Sequence, residues 1–206
     1  MMENNNTVQH LLAQTDIYLI DQLQKGLYKP TDMILDAGCG TGRNMHWFLQ
    51  NNFHITGIDP QAAAIHTLRN NYPSLAAGRS FVSAIEDNDL PAEHFDHIIC
   101  SAVLHFANDT DQFKNMLAAL VRMLKTGGSL FIRMASDIGI EDKIIAVGEG
   151  GVYLLPDGSK RFLLTGSLLQ DCMHEHKLVF IEPLKTTNVN DLRCMSTLVL
   201  RKALAL

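Results

Sequence analysis

The chain holds 206 residues, 47% apolar and 19% charged, with a net charge of −5 at pH 7. This is globular composition, and the length suits one domain. No apolar run reaches the ~18–20 residues that span a bilayer, and no more than two basic residues are adjacent anywhere, which argues against a nucleic-acid partner.

The first residues, Met1-Met2-Glu3-Asn4-Asn5-Asn6, lack the basic start and apolar core of a signal peptide, so a cytoplasmic location is expected. Cys39, Cys100, Cys172 and Cys194 are scattered with no C-x-x-C pair, the pattern of reduced thiols. An amphipathic segment (Val8, Leu11, Leu12, Leu19, Leu23) precedes Lys29-Pro30 and reads as a helical cap over 1–29. After it, strand-like and helix-like patterns alternate, which predicts an α/β fold with a largely parallel sheet. Strands are expected near 32–37, 53–58, 79–83, 95–101, 128–135, 177–183 and 193–201, and helices near 43–51, 61–71, 111–125 and 166–175. In the third helix Phe113, Met116, Leu117, Leu120, Val121 and Leu124 share one face, and Gly127-Gly128 read as its stop. The glycine-rich stretch 136–165, with a turn at Pro156-Asp157-Gly158, reads as a lid or as a hairpin pairing 152–155 with 161–164. No repeat or linker divides the chain, so 1–206 is expected to form a single domain.

Residues 33–44 carry the chemistry. Ile34 and Leu35 end a buried strand, Asp36 stands where the chain leaves the sheet, and Gly38, Gly40 and Gly42 follow at alternate positions. Such glycines let a ligand approach the backbone, and amides at the next helix start would face it. A dinucleotide fingerprint, G-x-G-x-x-G, would need glycine at 43, where Arg43 stands. Asp59 ends the second strand, where an acid can accept both hydroxyls of a ribose or cap the following helix.

The string Asp36-x-Gly38-x-Gly40-x-Gly42, with the strand before it, resembles motif I of the class I S-adenosylmethionine-dependent methyltransferases. The strand order resembles theirs too, from about position 30 onward and most clearly in the first half. The resemblance implies a Rossmann-like, seven-stranded, mostly parallel sheet with helices on both faces. The last strand would run antiparallel between the fifth and sixth. It also implies S-adenosylmethionine as cofactor and S-adenosylhomocysteine as product. The cofactor-binding positions carried over are Asp36, Gly38, Cys39, Gly40, Gly42 and Asn44 in the loop, Asp59 and Pro60 at the second strand, and Ala84, Ile85 and Glu86 after the third. Ala84 stands where many relatives place an acid against the adenine, which leaves the Ile85 N–H and Glu86 as adenine-side candidates.

The run Phe95–Phe106 resembles motif IV, whose turn lies beside the sulfonium and the acceptor; Ser101 and Ala102 would line the cofactor. His105 is the candidate catalytic base, since imidazole titrates near neutrality; the alternative is a buried helix-start histidine with no chemical task. Transfer to an already nucleophilic acceptor needs alignment alone. Arg133 reads as an anion contact or an ion pair, Asp137 as an acceptor contact or an ion pair, and Tyr18 as a cover for the methionine moiety or a core residue. His174 and His176 point apart on a helix, so no metal site is expected. Gly42-Arg43-Asn44 looks like the compact branch that includes tellurite-resistance-type methyltransferases. The resulting expectation is a methyltransferase for a small-molecule acceptor, without nucleic-acid or membrane partners, as a monomer or homodimer. The alternative is a non-catalytic S-adenosylmethionine-binding module or partner subunit.

Overall fold

Two short helices, α1 (Val8–Leu12) and α2 (Ile17–Gln24), begin the computed structural model, which describes residues 8–75 and 78–204. Residues 1–7 of the expected cap lie outside the described residues. Asp16 caps α2 by accepting the Tyr18 N–H at 3.0 Å, which satisfies an amide that a helix start leaves without a partner. There follow β1 (Met33–Ala37), α3 (His46–Gln50), β2 (His54–Asp59), α4 (Ala62–Asn71), β3 (Ser80–Val82) and β4 (Phe95–Ser101). Next come α5 (Thr110–Met123) and β5 (Leu124–Ser136). A small antiparallel sheet of β6 (Ile145–Ala146), β7 (Val152–Leu154) and β8 (Lys160–Phe162) occupies the glycine-rich stretch. The chain closes with α6 (Gly166–Glu175), β9 (Leu178–Phe180), β10 (Lys185–Val189) and β11 (Arg193–Lys202).

The main sheet has the order β3-β2-β1-β4-β5-β11, with β9 and β10 sharing the outer side of β11. β1 lies parallel between β2 and β4, with Asp36 opposite both Gly57 and Ile99. The carboxyl ends of these strands therefore open on one edge, as the nucleotide sites of such folds require. β11 runs antiparallel to β5 from Cys194 opposite Ser136 to Arg201 opposite Ser129. The sheet has eight segments rather than the expected seven, because the outermost lane beyond β11 is broken into β9 and β10. Pro183, in the gap, brings no N–H to a ladder. Lys185–Val189 itself was not expected to be a strand.

Alternation along the strands sends neighbours to opposite faces, and helices cover both. Leu35, Ile98, Ile132 and Leu198 pack with Phe113, Leu117 and Leu120 of α5 and Cys172 of α6. Ile34, Ile99, Phe131 and Val199 pack on the other face with Leu19 of α2, Phe48 of α3, and Ile65 and Leu68 of α4. Fully burying one such side chain stabilises the fold by ~1.5–3 kcal/mol. At the edge away from the glycine loop, His97 joins Asp32 at 2.9 Å to Ser129 at 2.6 Å, linking the approach to β1 with β4 and β5. Among the described residues no helix is long and apolar enough to cross a membrane.

The third expected helix ends at Met123, two residues early, and Gly127-Gly128 lie in an irregular start of β5 rather than in a helix stop. Close approach explains Gly128: an added Cβ would lie 2.7 Å from the Asp96 carbonyl oxygen and 2.9 Å from that of Lys125. Gly128→Ala is expected to lower unfolding free energy by about 1–3 kcal/mol, the scale of overpacking, as read by urea denaturation. An unchanged midpoint would show that the β4–β5 contact yields freely.

Candidate functional site

The loop after β1 is fastened to β2 before any side chain is considered, because the Gly38 and Cys39 amides both donate to the Ile58 carbonyl, at 2.8 and 3.0 Å. Gly40 and Gly42 hold φ of +54° and +93°, the left-handed region that side chains disfavour. Asp59 then clamps the loop. Its Oδ2 accepts the Gly40 N–H and its Oδ1 the Gln61 N–H, each at 2.9 Å. The second bond closes a turn two residues long just before α4, whose cap residue is Gln61 with no side-chain cap bond, so Asp59 is not the helix cap that was the alternative reading. Each carboxylate oxygen keeps further acceptor capacity, and Asp59 lines a cleft of about 400 Å³.

Six expected cofactor residues meet in that cleft: Gly38, Asp59, Pro60, Ala84, Ile85 and Glu86. Its other wall comprises Ala102, Val103 and Phe106 after β4, with Gln112 and Met116 from α5. Gln112 and Met116 are one helical turn apart, a spacing legible in the sequence, and Gln112 donates to Glu86 at 2.7 Å. Ala102 holds φ of +63° without being glycine, a local strain of the kind that functional sites store. Asp36 is buried below the loop, and its Oδ2 has no hydrogen-bond partner among the described residues. Burial pushes its pKa up to about 7; Arg43 pulls the other way, and the charge of Asp59 adds to the rise.

The other six expected contacts do not line the cleft: Asp36 and Gly40, and four that turn to the protein. Cys39 is buried under the loop. Gly42 faces α4, where an added Cβ would stand 2.4 Å from Leu68 Cδ1. Asn44 Oδ1 accepts the Asp16 N–H at 3.0 Å. Ser101 Oγ donates to Asp16 Oδ2 at 3.0 Å and accepts from Arg43 at 3.2 Å. These residues anchor the loop and the N-terminal helices instead. Asp16, which the sequence reading passed over, gathers Ser101, Arg43 at 3.9 Å and Arg133 at 3.4 Å. Its one sequence signal is the cap position before Ile17-Tyr18-Leu19. Tyr18 also lies away from the cleft: its hydroxyl bonds Thr187, and the Arg133 guanidinium lies 5.2 Å from its ring centre.

His105 lines a second cavity of about 320 Å³ with Arg133 of β5, Arg161 of β8 and Arg193 of β11. Its Nδ1 accepts the Ala135 N–H at 3.2 Å. Burial, followed by the charges of Arg161 and Arg133, lowers its pKa to about 4. The ring is therefore neutral at pH 7, and the Nδ1 contact places its proton on Nε2. That geometry offers a hydrogen-bond donor at Nε2. Asp137 lines neither cavity; burial and then Glu141 raise its pKa.

A fastened glycine loop, acids at two strand tips and an antiparallel final strand define the Rossmann-like methyltransferase fold. Solved structures agree. A methyltransferase dependent on S-adenosylmethionine from Methanosarcina mazei superposes with a TM-score of 0.73 at 18% identity, covering 89% of this chain and 98% of that one. The Burkholderia thailandensis 1,6-didemethyltoxoflavin-N1-methyltransferase, solved with 1,6-didemethyltoxoflavin and S-adenosylhomocysteine, gives 0.65 at 17% identity, over 95% and 80%. The Streptomyces coelicolor A3(2) geranyl diphosphate C-methyltransferase gives 0.64 at 14%, over 91% and 78%. Residues 34–128 match the family model described as a methyltransferase domain, while no curated protein sequence matches the chain. Residues 34–128 are thus similar to a methyltransferase domain, and the chain has the fold of the S-adenosylmethionine-dependent methyltransferases.

The two loop glycines separate packing from ligand space, since a Cβ at Gly40 meets nothing within 4 Å whereas one at Gly42 strikes Leu68. Gly42→Ala is expected to cost about 1–3 kcal/mol more stability than Gly40→Ala, the overpacking increment, by chemical denaturation. Equal costs would remove the helix contact as the reason for Gly42.

Proposed function

We propose that the chain moves the methyl group of S-adenosylmethionine onto a small-molecule acceptor, with the cofactor in the cleft of Asp59 and the acceptor beyond the His105–Phe106 turn. The observation that carries this reading is the buried Asp36 carboxylate oxygen, without a hydrogen-bond partner among the described residues, at the base of a glycine loop that is open at Gly40. A buried acceptor without a partner is costly, and a ligand ammonium group would satisfy it. Asp36 is assigned to the methionine ammonium, Asp59 to the ribose hydroxyls, and Ala84, Ile85 and Glu86 to the adenine side. Gly38 and Gly40 give the backbone its close approach. The bound relatives from Burkholderia and Streptomyces act on small organic molecules by their names, which supports an acceptor of that size.

When bound, S-adenosylmethionine supplies an electrophilic methyl on a sulfonium sulfur. The protein's part is to align the acceptor and exclude water. Phe106, Val103 and Met116 provide the apolar wall, and Gln112 bonded to Glu86 holds the rim. His105, as a neutral donor, orients the acceptor rather than deprotonating it. The chain is read as one cytoplasmic domain, monomeric or homodimeric, with residues 1–29 as a cap and 136–165 as a lid. Release of S-adenosylhomocysteine across an acceptor panel tests the reading; tight cofactor binding with no turnover anywhere would turn it into a binding module.

The raised Asp36 pKa gives a signed pH dependence. The free protein holds Asp36 protonated below about 7, and a nearby ammonium favours its ionised form, so binding in that range must expel a proton. Affinity for S-adenosylmethionine is expected to rise with pH, approaching about tenfold per unit, and to level above pH 7. In Asp36→Asn the slope should vanish. Calorimetry in buffers of different ionisation heat reads the released proton, and a flat profile in the native chain would remove Asp36 from the site. Asp59→Ala is expected to weaken cofactor binding by ~1.5–3 kcal/mol, the scale of hydrogen bonds to a charged group; a folded variant with unchanged affinity would leave Asp59 a loop clamp only.

A further inference from the structure

The second cavity is positive in a chain whose net charge is −5. Arg133, Arg161 and Arg193 converge there from three strands, and Asp157 is the one carboxylate in its lining. Asp157 pairs with Arg193 at 3.5 Å, and half of that arginine side chain is exposed. Asp16, behind the cavity, stands 3.4 Å from Arg133, yet the buried Nε of Arg133 has no hydrogen-bond partner among the described residues. Arg161 has no carboxylate partner among them. It donates to the Lys160 carbonyl at 2.7 Å and rests 5.0 Å from the centre of the Phe106 ring.

That ring is also the link to the cofactor cleft, which Phe106 lines from the other side. A second link is Ala102, which lines the cleft and donates its N–H to the Arg133 carbonyl at 2.7 Å. A molecule anchored among the arginines would therefore sit against the wall that separates it from the methyl donor.

We propose that this cavity is the acceptor pocket and that it binds a small anion through a carboxylate or phosphate group; the reaction assigned to it rests on the methyltransferase reading above. Guanidinium groups present planar forks of donors that match both anions. Arg161 has no carboxylate partner among the described residues, and Arg133 shares Asp16 with Arg43, so a neutral or cationic occupant would leave positive charge in the cavity uncompensated. Arg161, Asp157 and Ser159 all come from the β7–β8 hairpin and the turn between its strands, so the insert after β5 selects the acceptor.

The test titrates the full chain, saturated with S-adenosylhomocysteine, with inorganic phosphate, with succinate and with neutral succinamide, by calorimetry. One saturable site for phosphate or succinate and none for succinamide is expected, and the stronger of the two anions names the group recognised. R161Q combined with R193Q should weaken that binding by about tenfold or more while S-adenosylhomocysteine affinity is retained. R193Q alone, at a half-exposed position, should weaken it as well and serves if the double variant fails to fold. Equal responses to succinate and succinamide, or undiminished anion binding in the variants, would overturn the proposal. A native chain that binds the anion but not S-adenosylhomocysteine would instead overturn the cofactor reading and leave the anion site standing.

Discussion

Asp59 stands where the end of β2, the loop after β1 and the start of α4 meet, and its two oxygens take a backbone amide from each neighbour. Bonds of this kind, to a charged acceptor, are worth ~1.5–3 kcal/mol. A glycine loop otherwise has broad backbone freedom, so a side-chain clamp on Gly40 converts a flexible segment into one shape. The clamp depends on sheet register. β1 and β2 run in parallel from Met33 opposite His54 to Ala37 opposite Ile58, so the chain leaving Ala37 passes beside Asp59. The cleft exists because those two strands end together.

What the sequence disclosed was local. The Ile34-Leu35-Asp36 strand end, the glycine spacing, the acid after Ile58 and the i, i+4 face of α5 are all carried within a few residues, and each lies where its periodicity placed it. What stayed hidden was long-range or directional. The bonds from Asp16 to Ser101 and Arg133 join residues 85 and 117 positions apart, and no local pattern signals them. Motif spacing places Cys39, Gly42 and Asn44 in the loop but does not say that they turn to the protein side of it. Lys185–Val189 is polar and half exposed, without the alternation that marks a strand, because it is an edge held by backbone bonds to β11. His105 was read from the ordinary titration of imidazole, whereas its charge state is set by burial and by Arg161, which arrives from the insert.

The two cavities divide charge between them. Carboxylates at Asp59 and Glu86 line the cleft beside the glycine loop, with Asp36 buried beneath that loop, and guanidinium groups line the other. The Leu104–Phe106 turn is the partition. A cationic ligand suits the first environment and an anionic one the second. Such focusing in neighbouring clefts orders ligands without any moving part. The overall charge of −5 conceals this arrangement entirely.

The broken outermost lane has a consequence for the molecule in a crowded solution. An open sheet exposes unpaired amides and carbonyls along its last strand and can recruit a strand from another molecule. Here the outer side of β11 is covered by two short pieces, β9 and β10, interrupted by Glu182 and Pro183. Lys185 and Lys25 crowd the break, bound to Glu182 and Asp21. The opposite margin, β3, is only three residues long. Neither border offers a straight, neutral template, so the same interruption that splits the lane protects the sheet against intermolecular strand addition.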